Sequence, residues 1–275
     1  MTEPLPQRVL VLGAAGKIGR EVRTRLSSRY ALTRLADIVP QEPPGAGEEC
    51  VDADLADMAA LTAAMKGIDC VVHLAGISVE PDEREWEQVL PANIVGTHNV
   101  FEAARKAGVS RVVYASSHHA IGFYRRTDTI RAGVAPRPDT YYGVSKVFGE
   151  AMGRFYADKF GLSVVSLRIG AYRPEPTDRR HLAVWISPRD MVELIRCSIE
   201  APEVHYCVAY GVSANTRSFW DNSEAAILGY LPQDNAEEFA AQLLAEAPPE
   251  SPVNAAFHGG WYCEKDFASD QALID

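Results

Sequence analysis

What the 275-residue sequence lacks already excludes several classes of protein. Its few cysteines are odd in number and form no CxxC pair, so we expect free thiols in a reducing cytoplasm rather than a disulfide framework. No apolar run approaches the roughly 20 residues that span a bilayer, and the opening MTEPLPQ lacks the cationic and apolar segments of a signal peptide. The cysteines are Cys50, Cys70, Cys197, Cys207 and Cys263.

Basic residues are also in short supply. Lysine and arginine number 27 against 37 aspartates and glutamates, which gives a net charge of −10, and no basic stripe stands out. This balance argues against nucleic acid as a partner. A hydrophobic fraction of 47% and a charged fraction of 23% are ordinary for a soluble globular protein.

Short apolar runs alternate with helical patterns over the first 212 residues. This alternation predicts an α/β fold, a Rossmann-type doubly wound parallel sheet of about seven strands covered on both faces. Beyond residue 212 the pattern breaks up, which predicts a single domain over 1–275 with a core of about 1–212 and a small irregular C-terminal lobe of about 213–275. We predict strands at 8–12, 31–36, 49–55, 69–76, 111–117, 163–170 and 205–211. We predict helices at 17–28, 56–67, 93–108 and 187–202, the last with Ser187 as its N-cap, and a further helix that begins after Asp139 as its N-cap.

A glycine-rich loop, GAAGKIG, follows the first strand and opens the first helix. Gly13 permits a sharp turn, Gly16 lets the backbone approach a diphosphate, and Gly19 allows close packing of helix on strand. Asp37 ends the second strand about 20 residues further on, where its carboxylate can accept both ribose hydroxyls of an adenosine. Because a 2′-phosphate would be repelled there, the sequence predicts NAD rather than NADP.

The stretch TYYGVSK (140–146) carries a second motif. Tyr142 and Lys146, four residues apart, share a helix face, whereas Tyr141 and Lys146 cannot meet. A tyrosine that acts as a general base near neutral pH needs its phenolate stabilised by about 4 kcal/mol. The Lys146 ammonium, a positively charged nicotinamide and the helix N-terminus favour the phenolate, while burial opposes it. We therefore predict Tyr142 as the base, with Ser117 bonding the substrate oxygen from the end of the fifth strand.

Together, the glycine loop, the acidic end of strand two, the serine and YxxxK resemble the extended short-chain dehydrogenase/reductase superfamily over nearly the whole chain. HLAGISVE, SSHHAIGFY, YYGVSK, RIGAYRPEP and SANTRSFWDN look most like the corresponding segments of bacterial uronate dehydrogenases. The resemblance implies an NAD-dependent oxidoreductase that converts C1 of galacturonate or glucuronate to the aldaro-lactone. It also implies a homo-oligomer packed through the long helices.

By position, the resemblance assigns Tyr142, Lys146 and Ser117 to catalysis and two further sets of residues to ligand contacts. The cofactor contacts are Gly13, Gly16, Lys17, Ile18, Gly19, Asp37, Asp54, Leu55, Leu74, Ala75, Gly76, Ile77, Ser78, Lys146 and Tyr172. The substrate contacts are Ser78, Ser117, His118, His119, Ala171 and Arg180. For Asp54, capping of the next helix is an equally good and compatible interpretation. His118 stands where the family usually has an asparagine and Ala171 where it has a serine, so a different epimer or oxidation level could fit.

The segment PTDRRHLAVW supports an acidic substrate independently of the resemblance, because it lies in a predicted substrate loop of about 171–186. Arg180 can hold a carboxylate with two parallel hydrogen bonds, and Arg173 is the weaker candidate. We expect the adjacent side chains of His118 and His119 to point apart, and the sequence has no acidic or cysteine residue at ligand spacing from them, so we predict no metal. Asn93 could anchor a water or a bulged helix near Lys146.

Three alternative functions remain open. A neutral aldose or a sugar phosphate such as glucose 6-phosphate could be the substrate, with the arginine meeting phosphate. A nucleotide-sugar epimerase or dehydratase usually needs a larger C-terminal lobe than the about 60 residues after position 212. A regulatory protein that senses NAD often lacks the tyrosine or the lysine, and this chain has both.

Overall fold

A computed structural model describes residues 5–78 and 84–274. The last two residues of the HLAGISVE motif therefore lie outside the described part. The strands in the described part are β1 Arg8–Leu12, β2 Leu32–Asp37, β3 Glu48–Asp52, β4 Cys70–His73, β5 Arg111–Ser117, β6 Ile130–Arg131, β7 Ser163–Ile169, β8 Ala171–Tyr172, β9 Trp185–Ile186, β10 Tyr206–Gly211 and β11 Trp220–Asp221. The α-helices are α1 Lys17–Leu26, α2 Met58–Ala64, α3 Glu85–Val89, α4 Gly96–Ala107, α5 Tyr141–Phe160, α6 His181–Val184, α7 Pro188–Glu200, α8 Ala240–Glu246, α9 Pro252–Ala256 and α10 Trp261–Glu264.

Seven of the strands form one parallel sheet in the order β10-β7-β5-β4-β1-β2-β3. These are the seven strands predicted from the sequence, so the Rossmann-type fold is confirmed. The strand order reverses between β1 and β4, and in such sheets the crevice at that reversal opens at the carboxyl ends of the strands. The ends of β1, β4 and β5 therefore define where a ligand can lie.

The alternation within β1 explains why both faces of the sheet are covered. Val9 and Val11 point into a core shared with α1 and α7, while Leu10 and Leu12 point into a core shared with α2, α4 and α5. All four side chains are fully buried. At about 25 cal/mol per Å² of apolar surface, two such layers supply most of the driving force for folding.

The segment after residue 212 has its buried residues in clusters shared with the rest of the chain. Phe219 and Trp220 pack with Ile121 and Ile130, and a smaller cluster joins Ala236 to the α6–β9 region. The short strands β8 and β9 pair with each other, which closes residues 171–186 into a compact loop. Both segments lie beside the carboxyl ends of the sheet strands.

Helix caps show how local sequence chooses helix starts. Ser187 caps α7 as predicted, with its hydroxyl oxygen accepting from the backbone N–H of Asp190 at 3.0 Å and Pro188 in the first turn. The prediction of Asp139 as the cap of α5 is wrong: Thr140 is the cap, and its oxygen accepts from the N–H of Gly143 at 2.9 Å. Asp139 instead bonds a histidine of the site, described below.

A buried ion pair ties α5 to the sheet beneath the crevice. Arg168 donates from Nε and Nη2 to both carboxylate oxygens of Glu150, at 2.9 and 2.8 Å, and Ser116 donates to the same carboxylate at 2.6 Å. Both charged side chains are more than nine-tenths buried. Breaking one side of such a pair leaves a buried charge without its partner.

We expect Arg168→Met to destabilise the protein by about 3–5 kcal/mol, which corresponds to a fall in Tm on the order of 10 °C for a chain of this size. Thermal unfolding measures the effect. The double variant Arg168→Met with Glu150→Leu should recover much of the loss, because an apolar pair removes the uncompensated charge. Equal destabilisation in the single and double variants would contradict this explanation.

All five cysteines are free thiols, and four of them are buried. In the part of the chain that the structure describes, no helix has the length and apolar character required of a membrane span.

Candidate active site

The glycine-rich loop forms a tight cradle at the start of α1. Gly13 has φ +85°, and a Cβ there would lie 2.6 Å from the backbone nitrogen of Ala75 in the segment after β4. A Cβ on Gly19 would lie 2.4 Å from the Gly13 carbonyl oxygen, so only glycine allows the helix to start this close to β1. The backbone N–H groups at the N-terminus of α1 suit a diphosphate, and the cradle therefore fits a dinucleotide.

Asp37, at the end of β2, is tied to the glycine loop. Its Oδ2 accepts from the N–H of Ala15 at 2.8 Å, and its Oδ1 accepts from the N–H groups of Ile38 and Val39 at 2.8 and 3.1 Å. These bonds hold the carboxylate beside the cradle, as a ribose-binding residue requires. Arg34 in the same strand is paired with Glu49, and it donates to the carbonyl oxygen of Ala64 at the end of α2 at 2.7 Å.

The other predicted cofactor contacts lie around the same crevice. Asp54 accepts from the N–H of Ala56, but the cap of α2 is Asp57, so the interpretation of Asp54 as a helix cap is wrong. Leu55 is buried against Gly96 at the start of α4. Of the remaining predicted contacts, Lys17 is exposed in the first turn of α1. Three others, Ile18, Leu74 and Tyr172, pack on the hydrophobic core. The rest form the segment after β4: Ala75, Gly76, Ile77 and Ser78.

Ser117, Tyr142 and Lys146 come together at the carboxyl end of β5. The hydroxyls of Ser117 and Ser78 lie close enough to the Tyr142 phenol to favour its ionised form, and Lys146 Nζ lies 5.3 Å from the Tyr142 ring centroid. Lys146 is buried and donates to the carbonyl oxygen of Ala115 at 2.9 Å. Tyr141 is 56% exposed whereas Tyr142 and Lys146 lie together, so the helical-spacing argument selected the correct tyrosine of the two for contact with the lysine.

Burial dominates the ionisation of both groups. It raises the pKa of Tyr142 to about 12, although the hydrogen bonds from Ser117 and Ser78 oppose the rise. Burial also lowers the pKa of Lys146 to about 8. Among the protein's own groups, Lys146 therefore does not by itself bring the pKa of the phenol near neutrality. The combined effect of Lys146, a positively charged nicotinamide and the helix N-terminus stays a prediction. A further positive charge beside the phenol is needed.

Asn93 fixes the segment after β4 to the helix that carries Tyr142. Its amide accepts from the N–H of Ile77 and donates to the carbonyl oxygen of Ile77, both at 2.8 Å, and it donates to Ser145 Oγ at 3.1 Å. It lies in a π-helix, Leu90–Val95, between α3 and α4. Such bulges often occur at functional sites. Of the two predicted roles, the bulged helix is confirmed.

Glu85 is a site residue that sequence reasoning missed. Its carboxylate accepts from the backbone N–H of Tyr142 at 2.6 Å, and the residue is only 4% exposed. A carboxylate at the first turn of α5 satisfies a helix N–H and complements the helix dipole. It lies 57 positions from Tyr142, in an ordinary acidic stretch that gave no signal.

Two histidines connect the phenol to Arg180. The His119 ring centroid lies 6.0 Å from that of Tyr142 and 4.1 Å from that of His118. His118 Nε2 lies 2.8 Å from Nη1 of Arg180, which also donates to the carbonyl oxygen of His258 at 3.3 Å. Phenol, imidazoles and guanidinium thus form one continuous wall. Ala171, in β8, lies against the neighbouring core rather than presenting a polar group.

The segment after residue 212 contributes the remaining contacts of this wall. Gly260 has φ +65°, and a Cβ there would lie 2.6 Å from Cδ of Arg180, so glycine lets the arginine pack closely on the chain. The Tyr262 ring centroid lies 4.1 Å from that of His119. The sequence HGGWYC (258–263) combines glycines, aromatics and a histidine in an otherwise irregular region, and that cluster was the signal available for predicting this contribution.

Asp139 and His119 form a buried hydrogen-bonded pair. Asp139 Oδ2 lies 2.7 Å from His119 Nδ1. Burial raises the pKa of Asp139 to about 8, and burial, with the Arg180 charge, holds the pKa of His119 well below its usual range. Each group thus favours its neutral form.

This pair predicts a fall in stability as pH rises from about 6.5 to 8. In that window the folded state keeps a proton on Asp139 that the unfolded chain releases. The free energy of unfolding therefore falls by about 2 kcal/mol between these two pH values. Between about pH 4 and 6.5 the effect is offset, because the unfolded His119 takes up a proton that the folded one does not. Denaturant unfolding at several pH values measures the slope. Asp139→Asn, which does not titrate, should flatten it, and an unchanged slope in that variant would contradict the assignment.

Comparison with known families supports this geometry. A family model described as the NAD dependent epimerase/dehydratase family matches residues 9–189, which include the glycine loop, Asp37, Ser117, Tyr142 and Arg180. The fold and the crevice thus place the chain among dinucleotide-dependent enzymes of the extended short-chain dehydrogenase/reductase kind.

Individual relatives are more specific. A uronate dehydrogenase of Agrobacterium fabrum is 46% identical over 94% of this chain and 97% of its own length. A crystal structure of a mutant uronate dehydrogenase from Agrobacterium tumefaciens complexed with NAD is 44% identical, covers 96% of this chain and 99% of that chain, and has a TM-score of 0.88. An NAD-dependent glucose-6-phosphate dehydrogenase of Haloferax volcanii is 38% identical over 86% of this chain and 96% of its own length. The chain belongs to the NAD dependent epimerase/dehydratase family and, within it, to the uronate dehydrogenases.

Proposed function

We propose that this protein uses NAD to oxidise C1 of a cyclic hexuronic acid, galacturonate or glucuronate, to the aldaro-lactone. The observation that carries the proposal is the wall that runs from the Tyr142 phenol through His119 and His118 to the Arg180 guanidinium. A sugar acid has its reacting hydroxyl at one end and its carboxylate at the other. The wall offers a group for each end.

In the proposed mechanism, Arg180 holds the C6 carboxylate, while Ser117 and Tyr142 hold the C1 hydroxyl. When bound, NAD supplies the hydride acceptor and a positive charge beside the phenol. Tyr142 Oη takes the hydroxyl proton as C1 gives up its hydride, and the C1–O bond becomes the lactone carbonyl. The buried ammonium of Lys146, one turn along α5, stabilises the phenolate.

We assign the cofactor to the cradle formed by Gly13, Gly16 and Gly19, with Asp37 on the adenosine ribose. The remaining cofactor and substrate contacts are those predicted from the sequence, with His118 in the indirect role argued below. We also propose that residues 1–212 form the NAD-binding core, that 213–275 form the lobe, and that the 171–186 loop brings Arg180 to the substrate. Two observations support this division: the glycine cradle and Tyr142 lie within residues 1–212, and Arg180 contacts His258 and Gly260 from the later segment.

A substrate screen tests the proposal. Purified protein with NAD should form NADH with galacturonate or glucuronate, and much more slowly with galactose, glucose or glucose 6-phosphate. Preference for glucose 6-phosphate would favour the sugar-phosphate alternative, which the similarity to the H. volcanii protein makes the second candidate. Binding of NAD without turnover of any sugar would favour a sensor.

We further propose a cytoplasmic homo-oligomer. Four buried free thiols suit a reducing compartment. Three exposed apolar side chains on one face of α5, Tyr141, Val144 and Phe155, suit a subunit interface. Light scattering coupled to size exclusion should give a mass above that of one chain. Val144→Glu should lower that mass, and a wild-type monomer would contradict the proposal.

A further inference from the structure

His118 has both of its ring nitrogens engaged by the protein. Nδ1 lies 3.0 Å from the carbonyl oxygen of Ile169, and Nε2 lies 2.8 Å from Nη1 of Arg180. The residue is 4% exposed, and its ring packs between those of His119 and Trp220, with centroids at 4.1 and 5.7 Å. No nitrogen of His118 is therefore left for a sugar hydroxyl within this arrangement.

The two partners fix the proton of the ring. A carbonyl oxygen only accepts hydrogen bonds, so Nδ1 must carry the hydrogen; a guanidinium only donates, so Nε2 must present its lone pair. This is neutral imidazole in a single tautomer. A protonated ring would direct a second N–H at the arginine. Burial and the neighbouring charge of Arg180, which hold the pKa of His118 well below its usual range, agree with that tautomer.

Arg180 is held from three directions. His118 accepts from Nη1 on one side, the carbonyl oxygen of His258 accepts from the same nitrogen, and Gly260 packs against Cδ and Nε. Both hydrogen bonds described for Arg180 use Nη1, so among residues 5–78 and 84–274 Nη2 remains for a ligand. A free arginine side chain samples many rotamers, and ordering it on binding costs affinity. The contacts with His118, His258 and Gly260 order the Arg180 side chain before the substrate binds.

Resting on the function proposed above, we propose that His118 is a positioning residue: the lone pair on its Nε2 aims the Arg180 guanidinium at the substrate carboxylate, and the ring itself does not bind the sugar. The sequence-based expectation of a direct sugar contact by His118 is thereby replaced by an indirect role. The same geometry explains how histidine can stand at a position where the family usually has asparagine.

Two variants separate this role from a packing role. His118→Leu keeps most of the volume and removes the acceptor. His118→Gln places an amide oxygen near the position of Nε2, so it can still accept from Arg180. We expect His118→Leu to raise KM for galacturonate about tenfold or more with little change in kcat, and His118→Gln to stay within about threefold of the wild type. KM for galactose, which has no carboxylate, should not change in either variant.

Thermal unfolding and the KM for NAD check that both variants are folded and bind cofactor. Equal KM values for galacturonate in the leucine and glutamine variants would overturn the proposal, because the acceptor would then be irrelevant. A fall in kcat at unchanged KM would also overturn it, since that result would place His118 at the reacting atoms. If the wild type oxidises only a sugar phosphate, the proposed function fails on its own, and KM for the phosphate in the two variants still decides the role of His118.

Discussion

Tyr142→Phe is expected to lower kcat for uronate oxidation by about 10³-fold or more, with the affinity for NAD nearly unchanged. The phenol oxygen is the only non-hydrogen atom removed, and the Ser117 and Ser78 hydroxyls lie near it. A positioned general base contributes about 10²–10⁴-fold, and this one also holds the substrate oxygen. Initial rates with saturating galacturonate, together with NAD binding followed by calorimetry, measure the two quantities.

The chain offers a matched control for this experiment. Tyr141→Phe makes the same chemical change one residue away, on a side chain that is 56% exposed and turned from the crevice. That variant should keep wild-type turnover. Full activity in Tyr142→Phe, or equal losses in both variants, would exclude Tyr142 as the base.

Arg180→Met is expected to raise KM for galacturonate by about 10²-fold, while the slow oxidation of galactose is little affected. Losing a charge-assisted pair of hydrogen bonds to a carboxylate accounts for this size. Arg180→Lys should be intermediate, because an ammonium keeps the charge but cannot present two parallel donors. Steady-state kinetics on galacturonate and galactose give the ratio of the two kcat/KM values, which measures selectivity for the acid.

Arg173→Met serves as the control for arginine in the same loop. Arg173 is exposed, and its described bonds are made by the backbone, with the Trp185 indole donating to its carbonyl oxygen at 2.8 Å. Its replacement should leave KM for galacturonate unchanged. A larger effect at position 173 than at 180 would move the carboxylate site to Arg173.

The sheet and the proximity of Tyr142 to Lys146 were predictable because their signals are local and periodic. Apolar runs such as RVLVL mark buried strands whatever surrounds them, and the spacing of four between Tyr142 and Lys146 defines a shared helix face. Ser187 was also predictable, since Ser-Pro before an amphipathic run is a strong helix start.

Contacts between distant parts of the chain could not be predicted in this way. Asp139 and Thr140 are both good caps, and the choice fell to Thr140 because His119, 20 positions earlier, binds Asp139. The carboxylate of Glu85 reaches Tyr142 across 57 positions. The degree of burial that raises the pKa of Tyr142 is likewise not visible in a YxxxK spacing.

The contacts that hold Arg180 lie near the end of the chain, which affects how substrate specificity can diverge among relatives. The groups that we propose to contact the dinucleotide lie in the first two-thirds of the chain, whereas Arg180 contacts His258 and Gly260 near its end. Changes near His258 and Gly260 can therefore re-aim Arg180 while the glycine cradle and Asp37 stay as they are. Grafting the tails of relatives that act on other sugars onto this chain should exchange the sugar selected and retain the coenzyme.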